Sequence, residues 1–177
     1  PESGNGNIFA YGDGTVSNRR FSVLMTNGNM TFVGESNDHF GHTVTLNQWH
    51  LVTITYDNNE LKMYVDGTIV DSTVLGTDLN TDSSYPLVIA SNTTTRNDEY
   101  FGGKVAHVSI WDRVLSAIEI QSQVSCPPSY NASGLLGYWE LGNNANDATV
   151  YGNNGAIEGA IMSTDAPVIN CNNQNVC

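Results

Sequence analysis

Residues 49–67 read WHLVTITYDNNELKMYVDG, and this stretch predicts the β-hairpin around which the chain is arranged. Side chains alternate between the two faces of a strand, so apolar residues at every second position indicate one buried face. Both arms show this pattern, with Val52, Ile54 and Tyr56 in the first arm and Leu61, Met63 and Val65 in the second. The residues at 57–60 favour a tight turn, and Asp66-Gly67 favours another. The stretch therefore predicts an antiparallel meander.

Further strands are predicted on both sides of this hairpin. Short apolar or alternating runs indicate strands at residues 8–11, 21–25, 30–33, 68–70, 87–90 and 134–141. Asn27-Gly28, between two of these runs, is a strong hairpin turn signal. Polar loops are expected at 35–42, 76–85 and 91–100, and loops of this length and polarity are where sandwich proteins meet ligands.

One helix is predicted. Ser116 followed by Glu119 is a capping box, in which the serine caps the helix and the glutamate reaches back to it. It begins a helix at about 117–123. A single short helix among nine or ten strands makes the chain all-β.

Two segments carry a resemblance to a known family. The hairpin at 49–67 and the run FGGKVAHVSIWDRVLS at 101–116 resemble the two signature regions of laminin-G-like and pentraxin-like jelly rolls, which have the concanavalin A-like sandwich. GLLGYWEL at 134–141, after Cys126-Pro127-Pro128, resembles a segment that closes such domains in secreted multidomain proteins of gliding bacteria. The resemblance implies an all-β, antiparallel two-sheet jelly-roll sandwich with one short helix near 117–123.

The resemblance also bears on domain organisation. The Gly- and Asn-rich loop at 1–6 is similar to one that follows an early core strand in the family. We therefore expect residues 1–177 to be a single sandwich domain that lacks its N-terminal strands and continues beyond Cys177.

Composition limits the possible partners. Six basic residues against 18 acidic ones give a net charge of −12, which argues against nucleic-acid binding. No apolar run approaches the ~20 residues of a membrane-spanning helix, so no transmembrane segment is expected. An acidic surface suits a secreted protein or one that meets cations such as Ca²⁺, although net charge can also serve solubility alone.

The three cysteines all lie in the last third of the chain. Cys126 and Cys171 flank the closing segment and are expected to form a disulfide, with Cys171 and Cys177 as the alternative pair and three reduced thiols as the other possibility. A disulfide would indicate an oxidising, extracellular setting.

Catalysis is not expected. The chain has no Glu-x-Asp-x-Glu run of the kind that places two carboxylates in a glucanase cleft, no Gly-x-Ser-x-Gly elbow and no His-Glu-x-x-His helix. His39 and His42 fall in a Gly-containing loop and are interpreted as solvated.

One of two expectations for the closing segment is a structural calcium site. Asp147, Asn153 and Asn154 match the laminin-G-like calcium motif, although Ala106 stands where the family has a second acidic ligand. The alternative is that Asp147 forms only an Asx-turn with its own backbone. In pentraxin-like relatives a ligand-bridging calcium lies in the loop after the strand at 87–90, where residues 97–99 offer the nearest carboxylates.

Binding is therefore the expected function. We expect an extracellular or cell-surface adhesion module that binds a glycan or another surface ligand and works beside neighbouring domains of the same protein. The candidate contact residues, chosen for loop length and polarity, are Asn37, Asp38, Asn97 and Asp98. The alternative is a spacer or partner-docking domain without a small ligand.

Overall fold

The computed structural model describes residues 4–81, 83–94, 98–167, 169 and 171, which contain ten strands and one helix. The strands are β1 Gly6–Gly12, β2 Arg20–Thr26, β3 Asn29–Val33, β4 His39–Thr43, β5 Val52–Asp57, β6 Glu60–Val65, β7 Thr68–Val74, β8 Val88–Ile89, β9 Val108–Trp111 and β10 Leu135–Trp139, and the helix is α1 Ala117–Gln123. All pairs of these strands are antiparallel. The chain divides into two compact units, residues 1–104 and 105–177, called unit 1 and unit 2 below.

The central hairpin forms as the sequence predicts. β5 and β6 pair so that the alternating apolar residues face one another in the pairs Val52 with Val65, Ile54 with Met63 and Tyr56 with Leu61. The two residues at its tip, Asn58 and Asn59, have φ angles of 46° and 69°. Positive φ at both central residues is the type I′ geometry, whose twist matches that of the flanking strands.

Two further turns in unit 1 have the same geometry. Asn27 and Gly28 join β2 to β3 with φ angles of 50° and 81°, and Asp66 and Gly67 join β6 to β7 with 50° and 77°. Asparagine, aspartate and glycine tolerate these angles better than other residues. Local turn chemistry therefore sets the register of the neighbouring strands.

Unit 1 is a sandwich of two antiparallel sheets. One sheet has the order β4-β3-β2-β1-β8 and the other has β5-β6-β7. Their facing side chains form one apolar core, which contains Val23, Met25, Met30, Phe32, Leu61, Met63 and Leu75. The predicted all-β, antiparallel sandwich class is thus confirmed.

One element of unit 1 differs from the prediction. The stretch predicted as a polar loop at 35–42 contains the start of β4, which pairs with β3 at the edge of the five-stranded sheet. Phe40 on this strand is exposed, while Gly41 packs so closely on Met63 that a Cβ would lie 2.4 Å from its sulfur. Because the position that packs on Met63 is a glycine, β4 shows no apolar alternation, and the sequence pattern indicates a loop.

Unit 2 contains the β9-β10 pair, the helix and the disulfide. Ser116 and Glu119 form the predicted capping box, and Arg113 makes a bidentate ion pair with Glu119 at 3.1 and 2.6 Å. Cys126 and Cys171 are disulfide-bonded with their Cα atoms 4.8 Å apart, as predicted. Cys177 lies outside the described residues. The disulfide therefore closes the chain between Cys126 and Cys171 into a covalent loop.

Candidate functional site

The segment that carries Glu99 lies beside β1 in unit 1. The backbone N–H of Gly4 donates to Gly102 O at 2.9 Å, and that of Gly102 donates to Asn5 O at 2.7 Å. The N–H of Asn7 donates to Glu99 O at 2.8 Å. These bonds fix the backbone of the segment against the sheet.

Gly6 allows this close approach. Its φ is +110°, and a Cβ there would lie 2.2 Å from Tyr100 O and 2.8 Å from Glu99 O. Any side chain would push the segment away from β1, since Cβ contacts below 3.0 Å require backbone movement. The glycine therefore sets the position of Glu99 and Tyr100.

Two buried amides hold the Glu99 carboxylate. Its Oε2 accepts from Nδ2 of Asn7 and from Nδ2 of Asn92, each at 2.8 Å. Asn7 is 0% exposed and Asn92 is 2% exposed. The φ of Glu99 is 54°, a conformation that costs roughly 1 to 3 kcal/mol for a residue with a side chain and persists where surrounding contacts enforce it.

A buried polar network lies behind these amides. Arg20 donates from Nη1 to Asn92 Oδ1 at 2.7 Å and forms an ion pair with Glu35 at 2.8 Å. The hydroxyl of Ser22 donates to Asn7 Oδ1. Each amide is thus oriented by a second hydrogen bond, which leaves its NH₂ group directed at Glu99 and makes the arrangement rigid.

A shallow pocket of about 290 Å³ opens beside this segment. We call it the Tyr100 pocket. Its lining residues are Asn5, Gly6, Leu24, Met25, Thr26, Glu99 and Tyr100. Tyr100 is 63% exposed, so most of its ring is accessible to a ligand. The pocket thereby joins an aromatic surface to amide, hydroxyl and carboxylate groups.

The predicted contact residues that the structure describes do not line the Tyr100 pocket, and they form hydrogen bonds with neighbouring protein groups. Asn37 forms hydrogen bonds with the loop that follows β7. Its Nδ2 donates to Thr77 O at 2.7 Å, and its Oδ1 accepts from Gly76 N at 3.2 Å. Asp38 accepts from Gly34 N at 3.1 Å, and Asp98 accepts from the Asn92 amide at 2.9 Å. Asn97 lies outside the described residues.

Asp147, Asn153 and Asn154 come together as predicted, but through hydrogen bonds. The Asp147 Oδ1 accepts from the N–H of Tyr138 and of Thr149, at 3.0 and 2.9 Å. Its Oδ2 accepts from Thr149 Oγ1 and from Asn153 N, each at 2.9 Å. Asn154 Oδ1 accepts from the N–H of Asp147 at 3.0 Å.

This donor set does not fit Ca²⁺. Calcium needs six to eight oxygen ligands, whereas Asp147 is surrounded by N–H and O–H donors whose hydrogens point at its oxygens. The geometry instead contains the Asx-turn that was the alternative, extended to Tyr138 and Asn153. Burial raises the pKa of the Asp147 carboxyl, but the hydrogen bonds from Thr149, Tyr138 and Asn153 outweigh it, so the pKa lies below its ordinary value.

The histidines also have structural partners. His39 and His42 both lie in β4, so their placement in a loop is wrong. His39 Nε2 lies 3.0 Å from Asp71 Oδ2, while His42 is exposed, as predicted. His107 Nδ1 lies 2.7 Å from the hydroxyl of Tyr138. Across the described residues, no three His, Cys, Asp or Glu side chains converge as a metal centre would require.

The sequence reasoning missed Tyr100 and the part that β1 plays. The sequence indicates Glu99 only as a nearby carboxylate in a polar loop. The close backbone approach occurs at Gly6, far from this segment in the sequence. Nothing in the local pattern indicated that Gly6 and Asn7 are the partners.

The fold defines the class of this protein, an antiparallel jelly-roll sandwich of the lectin-like kind. The family model of the concanavalin A-like lectin/glucanase superfamily matches residues 2–121, more than half of the chain. The chain belongs to this superfamily, which confirms the laminin-G-like resemblance. No curated protein matches it.

Two solved structures are similar to the chain. One is a candidate carbohydrate binding protein from Bacteroides ovatus, with a TM-score of 0.64 and 18% identity over 82% of this chain. The other is an S-layer domain-containing protein from Clostridium thermocellum, with a TM-score of 0.39 and 21% identity over 70% of this chain. The chain covers 45% of the first protein and 64% of the second, so it corresponds to part of each.

Proposed function

We propose that this chain is a carbohydrate-binding module that recognises a glycan at the Tyr100 pocket. The observation that carries the proposal is that one open pocket is lined by an exposed tyrosine together with the polar residues Asn5, Thr26 and Glu99. A sugar presents apolar C–H faces that pack on an aromatic ring, and hydroxyl groups that need hydrogen-bond partners. The pocket offers both kinds of contact.

The rigidity of the site supports this role. The carboxylate of Glu99 is held at 2.8 Å by two buried amides, and its backbone is bonded to β1. Groups that are ordered before binding lose less conformational entropy when a ligand arrives. A pre-organised pocket can therefore bind a small, strongly hydrated ligand such as a sugar.

The superfamily adds support of a general kind. The fold is that of concanavalin A-like lectins and glucanases, and the similar Bacteroides ovatus protein is described as a candidate for carbohydrate binding. The shared architecture makes a glycan a reasonable first ligand class. The residues named above come from the geometry of this chain alone.

We place the module outside the cell. The disulfide between Cys126 and Cys171 supports this, because disulfides persist in secreted and cell-surface proteins and are rare in reducing compartments. The part of the chain that the structure describes contains no helix with the length and hydrophobicity that crossing a bilayer requires.

Binding rather than catalysis is proposed for the pocket. Glycoside hydrolysis generally uses two carboxyl groups, about 5 Å apart in retaining enzymes and about 6.5 to 9.5 Å apart in inverting ones. Among the lining residues that the structure describes, Glu99 is the one carboxylate. One carboxylate can orient a sugar by accepting hydrogen bonds, which suits a binding site.

A glycan array probed with the purified chain tests the proposal. We expect binding to a restricted group of glycans, in buffer with EDTA as well as with calcium, because the pocket uses protein groups alone. Binding to no glycan in either buffer would contradict the proposal and favour the alternative of a spacer or docking domain.

A further inference from the structure

We infer that the Tyr100 pocket selects glycans by charge, favouring sugars with an unsubstituted amino group and rejecting sugars with carboxylate or sulfate groups. This inference rests on the proposed function and adds the ligand class. The juxtaposition that carries it is a carboxylate beside an accessible aromatic ring, Glu99 next to Tyr100, in a pocket whose described lining residues include no cation.

The first step is the charge of the lining. Glu99 is the acidic residue among the described lining residues, and Asp98 precedes it on the exposed surface. None of the basic residues that the structure describes lines the pocket. A carboxylate or sulfate on a ligand would therefore meet the like charge of Glu99, and no described lining residue offsets it.

The second step concerns the two carboxylate oxygens. Oε2 of Glu99 already accepts from Asn7 and Asn92. A carboxylate has a second oxygen, Oε1, and about four acceptor positions in all. An ammonium group, which carries three donors, can form a charge-assisted hydrogen bond with this oxygen. The adjacent ring of Tyr100 would add the attraction of a cation for an aromatic face.

The third step is the electrostatic field that the net charge of the chain produces. The net charge is −12, and several of the few basic side chains are committed to nearby carboxylates. Arg20 pairs with Glu35, Lys62 with Glu60 and Arg113 with Glu119. A surface with this excess of negative charge attracts cationic ligands and slows the approach of anionic ones, more strongly at low ionic strength.

The test is a binding series in which only the charge of the sugar changes. We would measure binding to glucosamine-, N-acetylglucosamine- and glucuronate-terminated oligosaccharides on one scaffold, with the matching galactose series, in EDTA. Wild type should bind the amine form roughly tenfold more tightly than the N-acetyl form, the worth of a hydrogen bond to a charged group. The glucuronate form should not bind.

Two variants test whether the preference for the amine depends on Glu99. Glu99→Gln keeps an oxygen that can accept from Asn7 and Asn92 but removes the charge, so the preference for the amine should disappear while the N-acetyl form still binds. Asp78→Asn removes a charge at an exposed position outside the pocket lining and should keep the preference. Equal melting temperatures of both variants and wild type would show that folding is intact.

The outcomes separate this inference from the proposed function. Glycan binding without a preference for the amine, or with a preference that survives Glu99→Gln, would overturn the inference and leave the proposed function standing. Tight binding of the glucuronate form would also overturn it. Failure of every sugar, including the neutral ones, would overturn both.

Discussion

Asn7 donates a hydrogen bond from Nδ2 to Oε2 of Glu99 at 2.8 Å, across 92 residues of sequence. The same asparagine donates from its backbone to Glu99 O, so one residue of β1 fixes both the main chain and the side chain of the pocket carboxylate. The Tyr100 pocket is therefore a product of long-range packing, and its integrity depends on the strand beside it.

Gly6→Ala should destabilise the chain. The new Cβ would clash with Tyr100 O at 2.2 Å and strain a φ of +110°. We expect the free energy of unfolding to fall by roughly 2 to 4 kcal/mol, from backbone strain and overpacking together. Gly142→Ala is the matched control, because a Cβ there has nothing within 4 Å. Equal melting temperatures of the two variants would contradict the close approach of β1.

The fold could be predicted because its signals are local. Alternation in 52–56 and 61–65 predicts the central hairpin, and turn residues such as Asn27-Gly28 set register within a few positions. The capping box at Ser116 and Glu119 is likewise a four-residue signal. Each of these features can be recognised without knowledge of distant contacts.

The pocket could not be predicted by the same means. Asn37 and Asp38 sit in polar loops, as ligand-binding residues often do, yet their side chains bond to nearby backbone and hold the loops. Glu99 and Tyr100 gain their role from β1, more than 90 residues away. Loop polarity shows where the chain is exposed, but it does not show which polar side chains already form hydrogen bonds within the protein.

Asp147→Ala should lower the melting temperature by the same amount in calcium and in EDTA. The substitution leaves the N–H groups of Tyr138, Thr149 and Asn153 without their acceptor. A buried donor without a partner costs about 1 to 3 kcal/mol. Asp78→Ala, at an exposed aspartate, is the control. A loss seen in calcium alone would show that the loop is a metal site after all.

The ion pair of Arg113 and Glu119 should make stability depend on acidic pH. Hydrogen bonds from Arg113 and from Ser116 lower the pKa of Glu119 from 4.5 to about 2. Because the folded pKa is the lower one, the carboxylate stabilises the fold above pH 4.5, and this contribution is lost as the pH falls toward 2. Chemical unfolding of wild type and Glu119→Gln should differ at pH 7 and converge near pH 2. If the free energies of unfolding of the two proteins differ by the same amount at every pH, the lowered pKa of Glu119 is contradicted.

Removal of the disulfide should cost stability. Cys126 and Cys171 close a loop with a separation of 45 residues. The chain-entropy estimate for a loop of this length is roughly 4 kcal/mol. Urea unfolding should show this loss when wild type is reduced, whereas the variant with Ser at both positions should unfold at one midpoint with or without reductant. An unchanged midpoint for reduced wild type would rule out the stabilisation.

Calorimetric titration of the tightest-binding array glycan into wild type, Tyr100→Ala and Tyr151→Ala tests the central claim most directly. Tyr151 is 63% exposed, as Tyr100 is, but does not line the pocket, so the two substitutions remove equally accessible rings. Loss of an aromatic anchor costs about 2 kcal/mol or more in an interface. We predict that Tyr100→Ala weakens binding by more than tenfold and that Tyr151→Ala binds as wild type does. Equal affinity of wild type and Tyr100→Ala would contradict the assignment of the glycan site.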